Sequence, residues 1–454
     1  MKLIVVGVIH LMVAITVFAQ MPVRWEEPKG YHPDVIGLGL PQLQGVVHEL
    51  LYDPLPMTIG SGEGVGYPST GHGLYNHHPH LLVADDYLIA YWTNHAIDEN
   101  GAGQRLLGRL GKIHQDKSIQ WLDGVFEIAP PATDVWRRAE KENVLAQEKR
   151  FISGEIKQIG GRLYVVARLR MYLGWTDDMN ERFRQSNSIN TARFSLMDGR
   201  EKGFPYDIRW DIGPTFYQQL KIEGGEIRYV SEMFVDGAVY ERLAVTGDKV
   251  MLFNPLQDLY RDVKDVSKCD EQMRRNIRAM SERRDRGRPR FNPGTRHLTV
   301  NGKHGLAHLT QYQISDGQWM AVRDNLADPG CLYVSTTDES GAYQLAVKTN
   351  LPGYALSFSG RLDDGRVWLI TNSKDRRDLV LMLSQDGVVF DQTAVLVSVW
   401  KPWTQGVGKS RWGGPQYPHV VQHGNQLYVI YSIGKQQIGF TRVPIESLAD
   451  GLAR

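Results

Sequence analysis

A short pattern recurs along this chain: a turn of Gly, Asp or Asn, followed at once by a run of aromatic and β-branched residues. Such runs are typical of half-buried strands, and the turn that precedes each one predicts a hairpin. The seven instances are DDYLIAYW (85–92), GGRLYVVARL (160–169), GGEIRYVSEMFV (224–235), GDKVMLF (247–253), DGQWMAV (316–322), DGRVWLI (364–370) and GNQLYVIYSI (424–433). The chain is therefore predicted to be all-β, built from many short antiparallel strands.

Repeated aromatic hairpins favour a β-propeller, in which blades of a few strands surround a channel. At roughly 60 residues per four-stranded blade, the chain after its leader predicts about seven blades. We expect the strand-like segment 45–52 to pair with residues 437–445, so that no sheet edge stays open. The alternative is a protein of two β-sandwich domains. One segment, 263–290, has a helical composition and predicts an inserted helix and loop, either a mixed-charge surface helix or a basic arm for an acidic polymer.

The first residues decide the expected compartment. MKLIVVGVIHLMVAITVFA has a lysine, an apolar run and small residues at its end, which predicts a secretory signal peptide over 1–19 and a single catalytic domain over 20–454. The alternative is an uncleaved membrane anchor. We expect a secreted or periplasmic protein that is free of the membrane once the signal is cut.

Charge and cysteine content exclude some partners. With 52 basic and 51 acidic residues, the chain offers no bulk attraction for nucleic acid. The two cysteines, Cys269 and Cys331, could pair in an oxidising compartment, but their spacing does not decide whether they meet.

Histidines cluster in residues 71–105. His72, His77, His78 and His80 precede an apolar strand and His95 follows it, and imidazole is the usual proton carrier near neutral pH. The cluster therefore predicts a site. The first four histidines could also hold a structural zinc ion, and AIDEN (96–100) could bind calcium. Proton transfer by histidine itself needs no cofactor.

Five segments together resemble one group of secreted propellers. They are NHHPHL (76–81), WTNHAIDENGAGQRLL (92–107), DGRVWLITN (364–372), RRDLVLMLSQDG (376–387) and QYPHVVQHGNQLYVIYSIGKQQIGFTRVPI (416–445). The group is the BNR-type, sialidase-like seven-bladed propellers that include ulvan lyases, rhamnosyl-glucuronate lyases and related rhamnosidases. The turns STTDESGAY (335–343) and SQDGVVF (384–390) also resemble the Ser-x-Asp-x-Gly turns of sialidase-like blades.

The resemblance implies β-elimination on an acidic polysaccharide or oligosaccharide of glucuronate or iduronate with rhamnose. It implies two proton-transferring histidines, which match His78 (or its neighbour His77) and His95, and an arginine on the sugar carboxylate, which matches Arg168 or Arg170. The family's tyrosine should lie between the second histidine and that arginine, yet residues 96–163 contain no tyrosine. Either Tyr172 takes the role or the chain catalyses another reaction.

Other segments supply further candidates for substrate binding. They are Tyr417 and His419 in QYPH, Tyr217 and Gln218 in a presumed strand, and Arg361 as a carboxylate clamp. Conventional glycosidases need two carboxylates, and the histidine cluster contains none. The alternatives to a lyase are a rhamnosidase or dehydratase acting on the same glycans, or a sugar-binding propeller without catalysis.

Overall fold

The computed structural model describes residues 22–54, 73, 75–95, 104–129, 135–139, 144–174, 211–236, 242–246, 249–253, 264–283, 299–300, 303–304, 306–325, 328–399, 413–450 and 452. The predicted signal peptide and AIDEN lie outside these residues.

Strands dominate the described chain. The first fourteen are β1 (Val47–Tyr52), β2 (Tyr75–Ala84), β3 (Tyr87–His95), β4 (Arg105–Ile113), β5 (Ile119–Trp121), β6 (Phe126–Ala129), β7 (Val135–Ala139), β8 (Val144–Ile159), β9 (Arg162–Gly174), β10 (Asp211–Glu223), β11 (Glu226–Tyr229), β12 (Phe234–Asp236), β13 (Arg242–Thr246) and β14 (Lys249–Phe253). The next thirteen are β15 (Lys264–Asp265), β16 (Thr299–Val300), β17 (Lys303–His304), β18 (Leu306–Ser315), β19 (Gln318–Asn325), β20 (Gly330–Thr336), β21 (Val347–Arg361), β22 (Val367–Asn372), β23 (Asp378–Ser384), β24 (Gln392–Ser398), β25 (Pro415–His423), β26 (Gln426–Ile433) and β27 (Gln437–Pro444). The α-helices are α1 (Glu271–Arg283) and α2 (Ser447–Asp450).

All seven hairpins predicted from the sequence are confirmed. The aromatic runs form the second strands of the antiparallel pairs β2–β3, β8–β9, β10–β11, β13–β14, β18–β19, β21–β22 and β25–β26. The turn residues explain why the pattern is so regular. Gly160 and Gly161, for example, have φ values of +54° and +72°, which residues with a side chain adopt at a cost.

The two ends of the chain meet in one sheet, as the sequence predicted. Its strand order is β1-β27-β26-β25, with Val47 opposite Arg442 and Glu49 opposite Phe440. Gly439 lies where β27 passes the ring of Tyr431, and a Cβ there would come within 2.3 Å of that ring. An early strand therefore completes the last sheet, which is the pairing by which a propeller joins its first and last strands.

Strand β21 takes part in two consecutive sheets. Its first half pairs with β20 and its second half with β22, which gives the sheets β18-β19-β20-β21 and β21-β22-β23-β24. The predicted Ser-x-Asp-x-Gly turns connect the third and fourth strands of each sheet. Asp338 Oδ1 accepts backbone N–H groups in one turn and Asp386 Oδ1 does so in the other. The fold is all-β and propeller-like, and the count of seven blades stays a prediction.

Helix α1 is the helical part of the predicted insertion 263–290, and its basic continuation lies outside the described residues. The helix buries Met273, Ile277 and Met280 against Tyr164 and Phe234 of the neighbouring sheet, so it covers that sheet.

The two thiols do not pair: both Cys269 and Cys331 are free. In the part of the chain that the structure describes, no helix has the length and apolar character needed to cross a bilayer.

Candidate functional site

The first strands of several hairpins carry the same bulge, in which two residues face a single residue of the partner strand. The bulges are His78–Pro79 in β2, Gly213–Pro214 in β10, Ala307–His308 in β18 and Tyr417–Pro418 in β25. Three of the four contain a proline. A bulge tolerates proline because it leaves one residue outside the hydrogen-bond ladder. His78 and Tyr417 are the first of the two bulged residues in their strands, and His308 is the second in its strand.

The backbone is strained at several of the bulge residues. His78, Tyr417 and Ala355, which lies in a wider bulge of β21, have φ values of +50°, +54° and +70°. Left-handed backbone costs energy in residues other than glycine, and such residues concentrate at functional sites. The strain therefore agrees with the histidine cluster in marking this level as a site.

Tyr417 stands at the centre of the site, surrounded by three imidazoles. Its ring centroid lies 4.1 Å from that of His77, 4.9 Å from that of His78 and 5.1 Å from that of His308. Tyr417 itself is 8% exposed, whereas His78 and His308 are partly exposed. A ligand could therefore reach the two outer imidazoles and the phenol between them.

A chain of hydrogen bonds runs from the phenol to a buried carboxylate. The Tyr417 hydroxyl lies 2.8 Å from His308 Nε2, and His308 Nδ1 lies 3.1 Å and 3.2 Å from the two carboxylate oxygens of Asp324. Since a carboxylate accepts, we assign the proton of His308 to Nδ1. Nε2 is then the acceptor, and Tyr417 O–H donates to it.

His77 lies beneath these groups and is fully buried. Its Nδ1 is 2.8 Å from the hydroxyl oxygen of Ser432, and that hydroxyl donates to the carbonyl oxygen of Gln416. The Ser432 oxygen therefore accepts from His77 Nδ1–H. This bond orients the ring that packs most closely against Tyr417.

Arg376 forms a wall beside the tyrosine. Its guanidinium group stacks 4.2 Å from the ring centroid of Tyr354, and its Nη1 donates to Gln416 Oε1 at 3.2 Å. Gln416 directly precedes Tyr417, and Tyr354 directly precedes the bulge residue Ala355. Arg376 therefore contacts the residues that directly precede Tyr417 and Ala355 in the chain.

A second histidine pair lies along the same strands. The rings of His80 and His419 are 4.9 Å apart, with Tyr91 stacked on the first and Phe358 against the second. Burial lowers the pKa of His419 to about 4 and lowers the pKa of His80 well below its ordinary value. His419 Nδ1 accepts the backbone N–H of Leu81, so a neutral imidazole links the last sheet to β2.

This link should make the protein sensitive to acid. Because the unfolded chain binds a proton at His419 below about pH 6.5 and the folded chain does so near pH 4, the free energy of unfolding should fall as the pH drops through that window. The His419→Gln variant keeps an acceptor for Leu81 and loses the titration. Urea denaturation should show a pH slope reduced by at most about 1.4 kcal/mol per pH unit. The control is His114→Gln, an exposed histidine, and an unchanged slope in His419→Gln would contradict the assignment.

The structure brings three of the predicted site residues together, His77, His78 and Tyr417, and a fourth, His419, lies in the neighbouring pair with His80. His95 lies opposite Tyr75 on β3, on the face that His77 shares, and it has no exposed surface. The catalytic role of His95 stays a prediction.

The predicted arginines and Tyr172 lie on β9, where the structure describes the backbone. Arg168 pairs with Thr215 and Arg170 with Ile212, so the two arginines flank the Gly213–Pro214 bulge of β10. They therefore occupy the level of the sheet at which the other bulges carry His78 and Tyr417. Tyr172 lies two residues further along, opposite Lys149.

Three predicted residues have other surroundings. Tyr217 packs in the core beneath α1, and Gln218 donates to the Ser231 carbonyl oxygen. Arg361 is at the far end of β21, six residues or about 20 Å from Ala355, where it donates to the carbonyl oxygens of Gly365 and Ile314. These contacts give Tyr217, Gln218 and Arg361 structural partners outside the Tyr417 cluster.

Sequence reasoning missed His308 and Asp324. Neither lies in the histidine cluster 71–105, and they are 16 residues apart on adjacent strands. One signal was available. Each lies in the hairpin around DGQWMAV, at the place along the strands where other hairpins have their Xaa-Pro bulges.

Among the described residues, no group of three or more His, Cys, Asp or Glu side chains is arranged to hold a metal ion. His72 and residues 96–100 are outside that part of the chain, so the predicted zinc and calcium sites stay predictions.

Comparisons with known proteins agree with this architecture. A family model for the BNR repeat-like domain matches residues 269–429, about a third of the chain, which includes His308, Asp324 and Tyr417. A sialidase has a TM-score of 0.55 and 16% sequence identity, over 92% of this chain and 35% of the sialidase. No curated protein matches the sequence.

More distant structures include a mutant of Trypanosoma rangeli sialidase displaying trans-sialidase activity (TM-score 0.35, 9% identity, 90% of this chain and 60% of that one). Another is a GH43_1 enzyme from Xanthomonas citri (TM-score 0.29, 10% identity, 82% and 88%). The first sialidase supports the fold, and the chain spans about a third of its length. The protein is therefore an all-β chain with a BNR repeat-like domain and a sialidase-like, propeller-like fold.

Proposed function

We propose that the protein is a glycan lyase, which cleaves glycans of glucuronate or iduronate with rhamnose, such as ulvan, by β-elimination. The observation that carries the proposal is the hydrogen bond from the Tyr417 hydroxyl to His308, with the partly exposed His78 against the same phenol ring. This arrangement offers a proton acceptor and a proton donor within one small pocket.

Elimination needs a base for the C5 proton of the uronate and an acid for the leaving oxygen on C4. Tyr417 passes its proton to His308, and the resulting phenolate takes the C5 proton. The C4–C5 double bond forms as the C4–O bond breaks, and protonated His78 donates to the leaving oxygen. His308 has then gained one proton and His78 has lost one, so exchange with water restores both.

The C5 proton becomes acidic only when the charge of the sugar carboxylate is masked, because the developing enolate adds negative charge to it. Arg168 and Arg170 are the proposed partners of the carboxylate. Their support is the register of β9 with β10, which aligns both with the Gly213–Pro214 bulge. The bidentate guanidinium group matches a carboxylate in shape and charge.

The same hydrogen bond favours a second candidate, a hydrolase that releases rhamnose. A tyrosine that donates to a histidine can also act as a nucleophile at the anomeric carbon, as glycosidases with a tyrosine nucleophile do. Hydrolysis by two carboxylates has less support, because the one carboxylate described in the Tyr417 cluster, that of Asp324, is buried and bonded to His308.

Product analysis distinguishes these functions. The purified protein is incubated with ulvan and other uronate glycans, with Tyr417→Phe as the inactive control. A lyase produces the ultraviolet absorbance of a 4,5-unsaturated uronate in the wild type and not in the variant. Free rhamnose without that absorbance would identify the hydrolase instead, and binding without any product would overturn both in favour of a sugar-binding protein.

A further inference from the structure

Asp324 contacts two different parts of the site. Its Oδ1 and Oδ2 lie 3.1 Å and 3.2 Å from His308 Nδ1, and Oδ2 also accepts the backbone N–H of Ala355 at 3.1 Å. Its side chain is fully buried. A buried carboxylate has to be satisfied by donors, and here one donor is an imidazole of the site and the other is the backbone of the neighbouring sheet.

The N–H of Ala355 is available because of the bulge in β21. The register shifts between Tyr354 and Phe358, and Ala355 takes a φ of +70°, so its N–H donates to Asp324 instead of to a strand partner. A backbone N–H can only donate, so it requires an acceptor at Oδ2, and Oδ1 is the oxygen that faces the imidazole alone.

The chain from Asp324 through His308 to Tyr417 can hold its protons in two arrangements. With the proton on His308 Nδ1, the Nε2 lone pair accepts the Tyr417 hydroxyl. With the proton on Nε2, the imidazole instead donates to the Tyr417 oxygen and has no lone pair there to receive the phenol proton. The first arrangement alone lets His308 take that proton.

We propose that Asp324, held by the Ala355 N–H, is a positioning residue that keeps His308 in the Nδ1–H tautomer so that Nε2 receives the Tyr417 proton. The inference rests on the proposed function, in which that transfer generates the base. It adds to that function a residue, Asp324, that touches no substrate. It also gives a role to the bulge of β21, which directs the Ala355 N–H group toward Asp324.

The Asp324→Asn variant tests the proposal with little change in size. The amide oxygen has to face Ala355 N–H, because two donors would otherwise meet. The amide NH₂ then takes the place of Oδ1, the oxygen nearer to His308 Nδ1, and by donating to Nδ1 it favours the proton on Nε2. The change thus inverts the tautomer and preserves the contacts of the ring.

Nitrogen NMR of the full chain, with ¹⁵N-labelled histidine, reads the tautomer directly. The signals of His308 are identified by their loss in His308→Gln. We expect a protonated Nδ1 in the wild type and a protonated Nε2 in Asp324→Asn. If His308 keeps its Nδ1 proton in the variant, Asp324 is not the positioning residue, whatever the activity.

Kinetics supply the second measurement. Asp324→Asn should lower kcat by about 10²- to 10⁴-fold with KM nearly unchanged, since the residue contacts no substrate. The matched control is Asp328→Asn, in the same sheet, whose carboxylate bonds Tyr333 and Lys348 and which should keep full kcat. A wild-type kcat in Asp324→Asn would overturn the inference. If the wild type cleaves no glycan, the proposed function fails, and the NMR result still decides the tautomer.

Discussion

Replacing Tyr417 by phenylalanine should lower kcat by about 10²- to 10⁴-fold, the usual contribution of a general acid or base. The variant removes one hydroxyl oxygen and keeps the ring that packs against His77, His78 and His308. The loss should therefore appear in the rate of the chemical step. Thermal unfolding should change little, because the ring still fills its place between the imidazoles.

The matched control for this variant is Tyr431→Phe. Tyr431 is also buried in the last sheet, and its hydroxyl bonds Thr441 within that sheet. Losing that bond should cost about 1 kcal/mol of stability and leave kcat unchanged. If Tyr417→Phe retained wild-type kcat, the phenol would have no part in proton transfer and the proposed mechanism would be wrong.

Replacing His78 by asparagine should have an effect of similar size. His78 has a φ of +50°, and asparagine tolerates left-handed backbone better than alanine does, so the bulge of β2 should survive. The variant loses the imidazole that donates to the leaving oxygen. Steady-state kinetics on the glycan identified by product analysis should show kcat lowered by about 10²- to 10⁴-fold.

His423→Asn provides the comparison. It replaces a histidine at the other end of β25, six residues or about 20 Å from Tyr417, where the ring contacts Lys117. This variant should keep full activity. Equal losses in His78→Asn and His423→Asn would mean that the effect comes from the fold and not from the site.

The sequence predicted the hairpins and the closure of the chain because both depend on local chemistry. A Gly-rich or Asp-rich turn before an aromatic strand determines a hairpin within about ten residues. The strand 45–52 and the strand 437–445 could be matched because their pairing leaves no sheet edge open in a propeller. The number of blades was harder to predict, since β21 serves two sheets and β10 pairs with β9, β11 and β12.

About half of the candidate site could be predicted from the sequence. His77, His78 and Tyr417 belong to two short segments with unusual composition, and their rings do meet, whereas His419 of the same segments pairs with His80. His308 and Asp324 escaped because their partner Tyr417 is about a hundred residues away, and nothing local marks that contact. Tyr172 was considered because residues 96–163, where the family's tyrosine is expected, contain no tyrosine, whereas the structure offers Tyr417, from the last sheet.

For Arg361 the sequence suggested a role in binding, whereas the structure gives its side chain contacts with the backbone. An arginine beside Asp363 and Asp364 looks like a clamp for an anion, but its guanidinium group is used by backbone carbonyl oxygens at the end of a strand. A long side chain near a turn often donates hydrogen bonds to the carbonyl oxygens of the turn itself. A sequence cannot separate that use from ligand binding, because both need an accessible guanidinium group.

The most direct measurement is a crystal structure of Tyr417→Phe with a uronate oligosaccharide that the wild type cleaves. We predict a uronate ring beside the substituted phenyl ring, with C5 facing the position of the missing hydroxyl, the leaving oxygen within reach of His78 and the carboxylate against a guanidinium group. A sugar bound elsewhere on the molecule, with its uronate away from residues 78, 308 and 417, would contradict the account.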